Sequence, residues 1–217
     1  ALFDIKRGKQ WRSKPKNPVF CAYRVWDQRA ETGYMRDIED EFQYLAKQII
    51  VDPSTNLSSS NDMTASRFFA LWQARAAYRY SIDKNIILNQ VEGDVLSKDQ
   101  EEYLESRGVG FIRPDGVPSR QIYGLRLQRH IDILASDLGV HRWGVLRLLE
   151  GELIVPDVPK QHFIPLTPTL CLGWGHRTGS ILRHDMMQLN HAVQHACKDY
   201  WFRRSSIDQV LYECSEI

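Results

Sequence analysis

The stretch MTASRFFALWQARAAYRY, residues 63–80, combines helix-forming residues with a series of large apolar side chains. At about 100° per residue, these side chains cover most of the circumference of a helix. They are Phe68, Phe69, Leu71, Trp72 and Tyr78. A helix that is apolar on most sides must be covered on most sides. We therefore expect this helix to lie at the centre of the fold.

A second helix is predicted just before it, in the stretch RDIEDEFQYLAKQIIVD, residues 36–52. Its apolar residues recur at intervals of four, three and four: Ile38, Phe42, Leu45 and Ile49. This spacing is typical of an amphipathic helix with one buried face. Two more helices are predicted downstream, a short one capped by Ser97 and a longer one that begins at Ser119 and stops at Gly139.

The periodicity changes after Gly139. The stretch RWGVLRLLEGELIVPD, residues 142–157, predicts two short strands joined by a hairpin turn at residues 150–152. HFIPL and TLCLGW predict two more strands, and the stretch that begins at Arg183 predicts a last helix. We expect an α+β fold, in which a mostly helical N-terminal two-thirds packs on a small antiparallel C-terminal sheet closed by a long amphipathic helix.

The length and composition suit one domain over residues 1–217, with a basic extended arm or hairpin at 1–36, a helical part at 37–140, and the sheet with its closing helix at 141–217. The formal net charge is only +1, so the overall charge of the chain does not favour binding to a nucleic acid or to a membrane surface. Four cysteines without a Cys-x-x-Cys spacing predict free thiols in a cytoplasmic protein. We expect no cofactor and no membrane span.

The N-terminal stretch DIKRGKQWRSKPKNP, residues 4–18, carries six cations opposed only by Asp4. Gly8 favours a turn or hairpin within it. A basic arm of this kind can lie along a phosphate backbone, and the candidate contacts to nucleic acid are Lys9, Arg12 and Lys14. The alternative is an ordinary solvated loop, which the near-neutral total charge favours.

Several short motifs occur in an order that resembles a known family. They are RGKQWRSKPKNPVFCAYRVWD, Ile38-Glu39, WQARAAYR, Trp143 with LIVPDVP, IPLTPTLCL and Asn190. Together they resemble the bacterial family defined by the domain of unknown function numbered 4238. The resemblance implies a shared fold, nominates Arg75, Asp157 and Asn190 as site positions, and suggests a toxin or phage-defence role.

The chain departs from this family in three places. The His-Tyr-Val-Pro opening typical of the family is not present in this sequence, so a functional histidine in that motif is either lacking or trimmed from the chain. The family's Ser-Asp becomes Pro156-Asp157, which excludes a role for the serine. An Arg-x-Pro motif becomes Arg75-Ala76-Ala77, so only the arginine carries over. The family has no settled activity, and the resemblance therefore leaves the reaction open.

Three histidines, His184, His191 and His195, fall on one face of the last predicted helix. Ala192 stands where a zinc-protease helix has its glutamate, and His184 would lie ~10 Å from His191 along the axis. A three-histidine metal site is therefore not expected. His191 and His195 are candidates for proton transfer, and a solvated helix face is the alternative.

Arg75 and Arg79 lie one turn apart at the edge of the central helix and can clamp an anion. The alternative for Arg75 is an ion pair with Glu39 or Asp40. Asp157 follows an apolar strand, where catalytic carboxylates are often presented, although a turn aspartate is equally compatible. Asn190 is a candidate substrate contact, with the satisfaction of a backbone group as the alternative.

The leading hypothesis is a bacterial intracellular effector of toxin or phage-defence type that cleaves RNA without a metal. Asp157 or a histidine would transfer protons, and Arg75 and Arg79 would neutralise phosphate charge. The alternative is a non-catalytic interaction or sensor module that binds a protein partner or a second copy of itself. Its aromatic surface would comprise Trp11, Trp26, Trp174 and Trp201. The stretch GWGHRTG is interpreted as a mobile loop that exposes His176 and Arg177.

Overall fold

A computed structural model describes residues 1–13, 31–79, 85–89 and 91–205. Within these ranges the chain forms a π-helical turn and five α-helices: Glu31–Met35, then α1 Arg36–Val51, α2 Ser59–Tyr78, α3 Lys98–Ser106, α4 Ser119–Leu138 and α5 Arg183–Ala196. Short strands alternate with them: β1 Leu2–Asp4, β2 Lys9–Trp11, β3 Asn85–Ile86, β4 Val117–Pro118, β5 Trp143–Leu148, β6 Val155–Pro156, β7 Phe163–Thr167, β8 Leu170–Trp174, β9 Gly179–Ile181 and β10 Tyr200–Phe202.

Helix α2 is the central helix that the sequence predicts. Ser58 caps it by accepting a hydrogen bond from the Asn61 backbone, and the Asn61 side chain accepts one from the Ser58 backbone. Phe69 is fully buried between the helices and the sheet. One side of α2 packs against α1 and the other against α4. The four apolar residues predicted for the buried face of α1 are all buried.

Helix α2 also packs against a four-stranded sheet in the order β7-β8-β5-β9. Strands β7 and β8 form an antiparallel hairpin in which Phe163 pairs with Gly173. Strand β5 pairs antiparallel with β8 and parallel with β9. The sheet is therefore mixed, and α5 follows β9 directly.

A second four-stranded sheet has the order β2-β1-β10-β6 and joins distant parts of the chain. Strands β1 and β2 form the predicted N-terminal hairpin, with Gly8 at a positive φ of 59° in its turn. Strand β1 pairs with β10, so Leu2 lies opposite Phe202. The third sheet contains only β3 and β4.

The predicted fold class is wrong. Within the described residues, three small sheets are interspersed with the helices, where the sequence predicts a helical two-thirds packed on one C-terminal sheet. The predicted hairpin around residues 150–152 is also wrong, because β6 pairs with β10 and not with β5. Two- and three-residue strands are too short to show a periodicity of two, and pairing between the chain's two ends has no local signal.

A network of four charged residues, three of them buried and Arg113 half-buried, ties α3 to the segment before α4 and to α4 itself. We call Glu101, Glu105, Arg113 and Arg120 the charged network. Arg113 contacts both carboxylate oxygens of Glu101, at 2.6 and 2.7 Å. Arg120 donates to Glu105 at 2.6 Å and to Glu101 at 2.8 Å. The pairing compensates the burial of these charges, since an unpaired buried charge is very costly.

Candidate functional site

Asp157 lies at the end of β6, as predicted, but its carboxylate is buried and 8% exposed. It accepts hydrogen bonds from the backbone N–H groups of Lys198 at 3.0 Å, Asp199 at 2.7 Å and Tyr200 at 3.4 Å. These bonds fix the start of β10 after α5 ends. Asp157 is therefore a structural residue, whose carboxylate holds β10 in the second sheet.

Arg79 reaches this same region. Its guanidinium lies 5.1 Å from the centre of the Tyr200 ring, and Lys6 forms a 2.7 Å ion pair with Asp199. Burial raises the pKa of Tyr200, so its hydroxyl stays protonated near neutrality. The structure therefore brings Arg79 and Asp157 together around the start of β10.

Arg75 is engaged one turn earlier on α2. It donates a hydrogen bond to Glu39 of α1, the ion pair that the sequence offered as the alternative. A second guanidinium nitrogen lies 4.0 Å from the sulfur of Met35. The half-buried pair joins α1 to α2, and its contacts are those of a helix–helix tie.

Asn190 on α5 also satisfies backbone groups. Its amide oxygen accepts from the Ile154 N–H at 3.0 Å, and its amide nitrogen donates to the Glu152 carbonyl at 2.8 Å. These two bonds hold the segment that leads into β6 against α5. Both the amide oxygen and the amide nitrogen of Asn190 are already hydrogen-bonded within the protein, so little of their capacity remains for a substrate.

The histidines of α5 are exposed and split into two groups. The Nε2 atoms of His191 and His195 lie 3.0 Å apart, and their ring centres are 4.3 Å apart. His184 instead contacts Gln188, with 2.9 Å between the two Nε2 atoms. Within the described residues, no hydrogen bond or ion pair joins either group to Arg75 or Asp157.

The basic arm is only partly described. Lys9 and Arg12 are exposed in and just after β2, whereas Lys14 lies outside the described residues. The predicted aromatic surface is likewise incomplete: Trp201 is buried, Trp11 and Trp174 are half-buried, and Trp26 lies outside the described residues. Trp174 donates to the Leu138 carbonyl at 2.7 Å, and Trp201 and Trp174 contribute to the core more than to a docking face.

A cavity of about 550 Å³ lies between the first sheet and α5. We call it the histidine cavity. Its polar lining comprises Gln161, His162, His176, Arg177, Ser180 and Asp185. His162, His176, Arg177 and Asp185 are exposed. Within the described part of the chain, these four side chains make no hydrogen bond or ion pair, so their polar groups are available to a ligand.

The β7–β8 hairpin brings the two histidines to one end of the sheet. His162 directly precedes β7, and its carbonyl accepts from the Trp174 N–H at 3.0 Å. The His162 ring also lies 4.8 Å from the Trp174 ring and 5.6 Å from the Phe69 ring. His176 follows β8 by two residues, so the register that pairs Phe163 with Gly173 places both histidines on the same rim.

The loop that carries His176 and Arg177 is packed against the sheet. A Cβ on Gly173 would lie 3.1 Å from Cδ2 of His176, and a Cβ on Gly144 would collide with the loop backbone. The Gly175 N–H donates to the Arg142 carbonyl at 2.8 Å. The sequence correctly predicts an exposed loop, but these contacts fix its backbone. Fixed backbone is what a functional side chain needs for precise positioning.

Cys171 of β8 lines the same cavity and could be mistaken for a nucleophile. Burial raises the pKa of its thiol to about 12. The pKa of Cys197 is raised to about 12 as well, by burial and by the charge of Asp157. Both thiols are therefore protonated near neutrality, and thiols in that state are poor nucleophiles.

The described ranges contain no group of three or more His, Cys, Asp or Glu side chains placed to share a metal ion. None of the helices described is long and apolar enough to cross a membrane.

Comparison with known proteins found no matching family model, no matching curated protein and no matching solved structure. The resemblance to family number 4238 therefore stays a prediction.

Proposed function

We propose that the protein is an RNA-cleaving enzyme whose active site is the histidine cavity. The observation that supports the proposal most is the presence of two exposed imidazoles and a guanidinium on the wall of one cavity, none of them with a hydrogen-bond or ion-pair partner among the described residues. A cavity of a few hundred Å³ with a few convergent polar groups is the usual form of a ligand site. Its volume of about 550 Å³ lies within the ordinary range for small-ligand pockets.

Two histidines provide the acid and the base that RNA cleavage requires. One imidazole removes the proton from a ribose 2′-hydroxyl, whose oxygen attacks the adjacent phosphorus. The other imidazole donates a proton to the departing 5′-oxygen. The P–O5′ bond breaks as the P–O2′ bond forms, which leaves a 2′,3′-cyclic phosphate and a free 5′-hydroxyl. The substrate supplies its own nucleophile, so neither protonated cysteine takes part.

Arg177 adjoins His176 and supplies the positive charge. A guanidinium binds phosphate oxygens in a bidentate manner and stabilises the negative charge that grows on them in the transition state. Asp185 lies in the first turn of α5 on the same cavity wall. Its carboxylate can orient one imidazole by accepting a hydrogen bond when the substrate is bound.

The test uses single-stranded RNA of mixed sequence, with a fluorophore at its 5′ end and a chelator in the buffer. We expect the wild-type protein to cut it, and His162→Ala and His176→Ala each to lower the rate by about 10²–10⁴-fold. His184→Ala is the matched control, because His184 is exposed on α5 outside the cavity. Intact RNA with the wild-type protein, or equal rates for His176→Ala and His184→Ala, would overturn the proposal.

The cellular role we propose is that of a bacterial effector of toxin or phage-defence type that acts in the cytoplasm. The resemblance to family number 4238 supports the role, and the free thiols of Cys171 and Cys197 suit a reducing compartment. Growth arrest on induced expression, relieved by His176→Ala, would support it. Normal growth despite a fully active, expressed enzyme would contradict it.

The alternative function is a non-catalytic interaction module, and one observation favours it. Leu125 and Ile133 project from the outer side of α4 while 71% and 50% exposed. They lie two turns apart beside a shallow cavity, and exposed apolar side chains in a row are typical of protein contacts. A stable complex that depends on Leu125, from a protein that leaves RNA intact, would favour this function.

A further inference from the structure

We infer that His191 and His195 form a surface binding site for a divalent transition-metal ion, with Cu²⁺ as the preferred ion. The two residues, the histidine pair, are one helical turn apart on α5, and their Nε2 atoms are 3.0 Å apart. Successive turns aim side chains at i and i+4 in the same direction. Imidazole nitrogen is a good ligand for copper, nickel and zinc.

In the folded chain the Nε2 atoms of the two rings lie at hydrogen-bonding distance from each other. A metal ion would replace that hydrogen bond, since it needs a nitrogen lone pair from each ring. With metal–nitrogen bonds of about 2.0–2.1 Å, two nitrogens about 3.0–3.4 Å apart can share one ion in square-planar, octahedral or tetrahedral coordination. The preference among ions therefore follows their intrinsic affinity for nitrogen ligands, which is highest for Cu²⁺. Water molecules would occupy the remaining positions.

The surroundings of the pair also favour a cation. His195 lies in the last turn of α5, where the helix macrodipole places a partial negative charge. The helix ends at Ala196, so Lys198 lies on the extended segment that follows and not on the helical face of the pair. No described acidic side chain pairs with either ring, and the two imidazoles contact only each other.

The histidine pair does not line the histidine cavity. Metal binding and RNA cleavage can therefore succeed or fail separately. His184 lies too far along the helix axis to be a third ligand, so water molecules would complete the coordination of an ion held by His191 and His195.

The same helix provides a matched comparison. His184 and Gln188 have the same four-residue spacing, but the second position is an amide. Gln188→His should therefore add a second site of the same kind to α5. His195→Ala should abolish the first, and alanine at an exposed helical position preserves the helix.

The experiment is a Cu²⁺ titration of the purified chain, followed by electron paramagnetic resonance and by affinity. We expect one bound Cu²⁺ with two equatorial nitrogens, about 100-fold weaker binding in His195→Ala because chelation is lost, and two bound ions in Gln188→His. His184→Ala should bind like wild type. Equal binding by wild type and His195→Ala would overturn the inference, and tighter binding of Zn²⁺ than of Cu²⁺ would overturn the choice of ion.

Discussion

The charged network and the histidine cavity use ionisable side chains in opposite ways. In the network, Glu105 is 3% exposed and every acidic group faces an arginine. In the cavity, His176 and Arg177 face open space without a partner among the described residues. Charges that neutralise one another stabilise a fold, whereas polar groups held beside a cavity keep their binding capacity. Whether an ionisable side chain is paired within the protein therefore indicates its function better than its residue type does.

The largest effect on stability is expected in the charged network. Glu105→Ala removes the 2.6 Å partner of the buried Arg120 and leaves Glu101 alone to balance two arginines. Breaking a buried pair from one side costs up to about 3–5 kcal/mol. Urea denaturation should show this loss as a lower midpoint with an unchanged slope. A loss below about 1 kcal/mol would mean that the pair is solvated in solution.

A smaller loss is expected at Asp157. Removing the carboxylate in Asp157→Ala leaves the N–H groups at the start of β10 without their acceptor, which costs about 1.5–3 kcal/mol. The same variant should retain its RNA-cleaving activity below its melting temperature. If it stays as stable as wild type and loses activity instead, Asp157 is the catalytic carboxylate that the sequence suggests.

Acid should weaken the charged network selectively. Arg113 holds the pKa of Glu101 at about 2, against an ordinary value of 4.5, with burial opposing the shift and Arg120 adding to it. Because the folded state has the lower pKa, Glu101 contributes stability above pH 4.5, and that contribution is lost as the pH falls toward 2.

Arg113→Met should flatten this pH dependence, since it removes the largest cause of the shift. Urea midpoints measured between pH 6 and pH 2 provide the check. An identical slope in wild type and Arg113→Met would show that other carboxylates govern the acid response.

The smallest effect on stability is expected in the cavity. His176→Ala removes an exposed side chain without a described polar partner, so it should change the free energy of unfolding by less than about 0.5 kcal/mol. His162→Ala also removes the ring contacts with Trp174 and Phe69, so its loss should be larger, about 0.5–1.5 kcal/mol. Thermal denaturation monitored by circular dichroism can establish this. A loss above about 1 kcal/mol in His176→Ala would show that this cavity side chain stabilises the fold as the charged network does, and would contradict the comparison.

Local patterns predict the helices well and the sheets poorly. Ile38, Phe42, Leu45 and Ile49 identify the buried face of α1, because a helix repeats its pattern within a few residues. The pairing of β1 with β10 joins residues about 200 positions apart, and no local pattern records it. The π-helical turn before α1 also has no sequence signal that distinguishes it from an α-helix.

The candidate site could have been found by one further step from the sequence. Strands HFIPL and TLCLGW are both predicted, and pairing them as a hairpin places His162 opposite Trp174, two residues from His176. A single histidine next to a strand forms no periodic pattern, so the sequence alone does not identify His162 or His176 as a site residue. The three histidines on one face of α5 form a recognisable sequence pattern, although none of them lines the cavity.

The most direct test of the histidine cavity as an active site compares the chemical ends of its products. Wild-type protein is incubated with an RNA oligonucleotide and with its 2′-deoxy counterpart, and the fragments are analysed by mass spectrometry. We expect 2′,3′-cyclic phosphate ends from the RNA, no cleavage of the 2′-deoxy strand, and no cleavage of either by His162→Ala/His176→Ala. Cleavage of both strands by wild type, or full activity of the double variant, would contradict a two-histidine RNA-cleaving site.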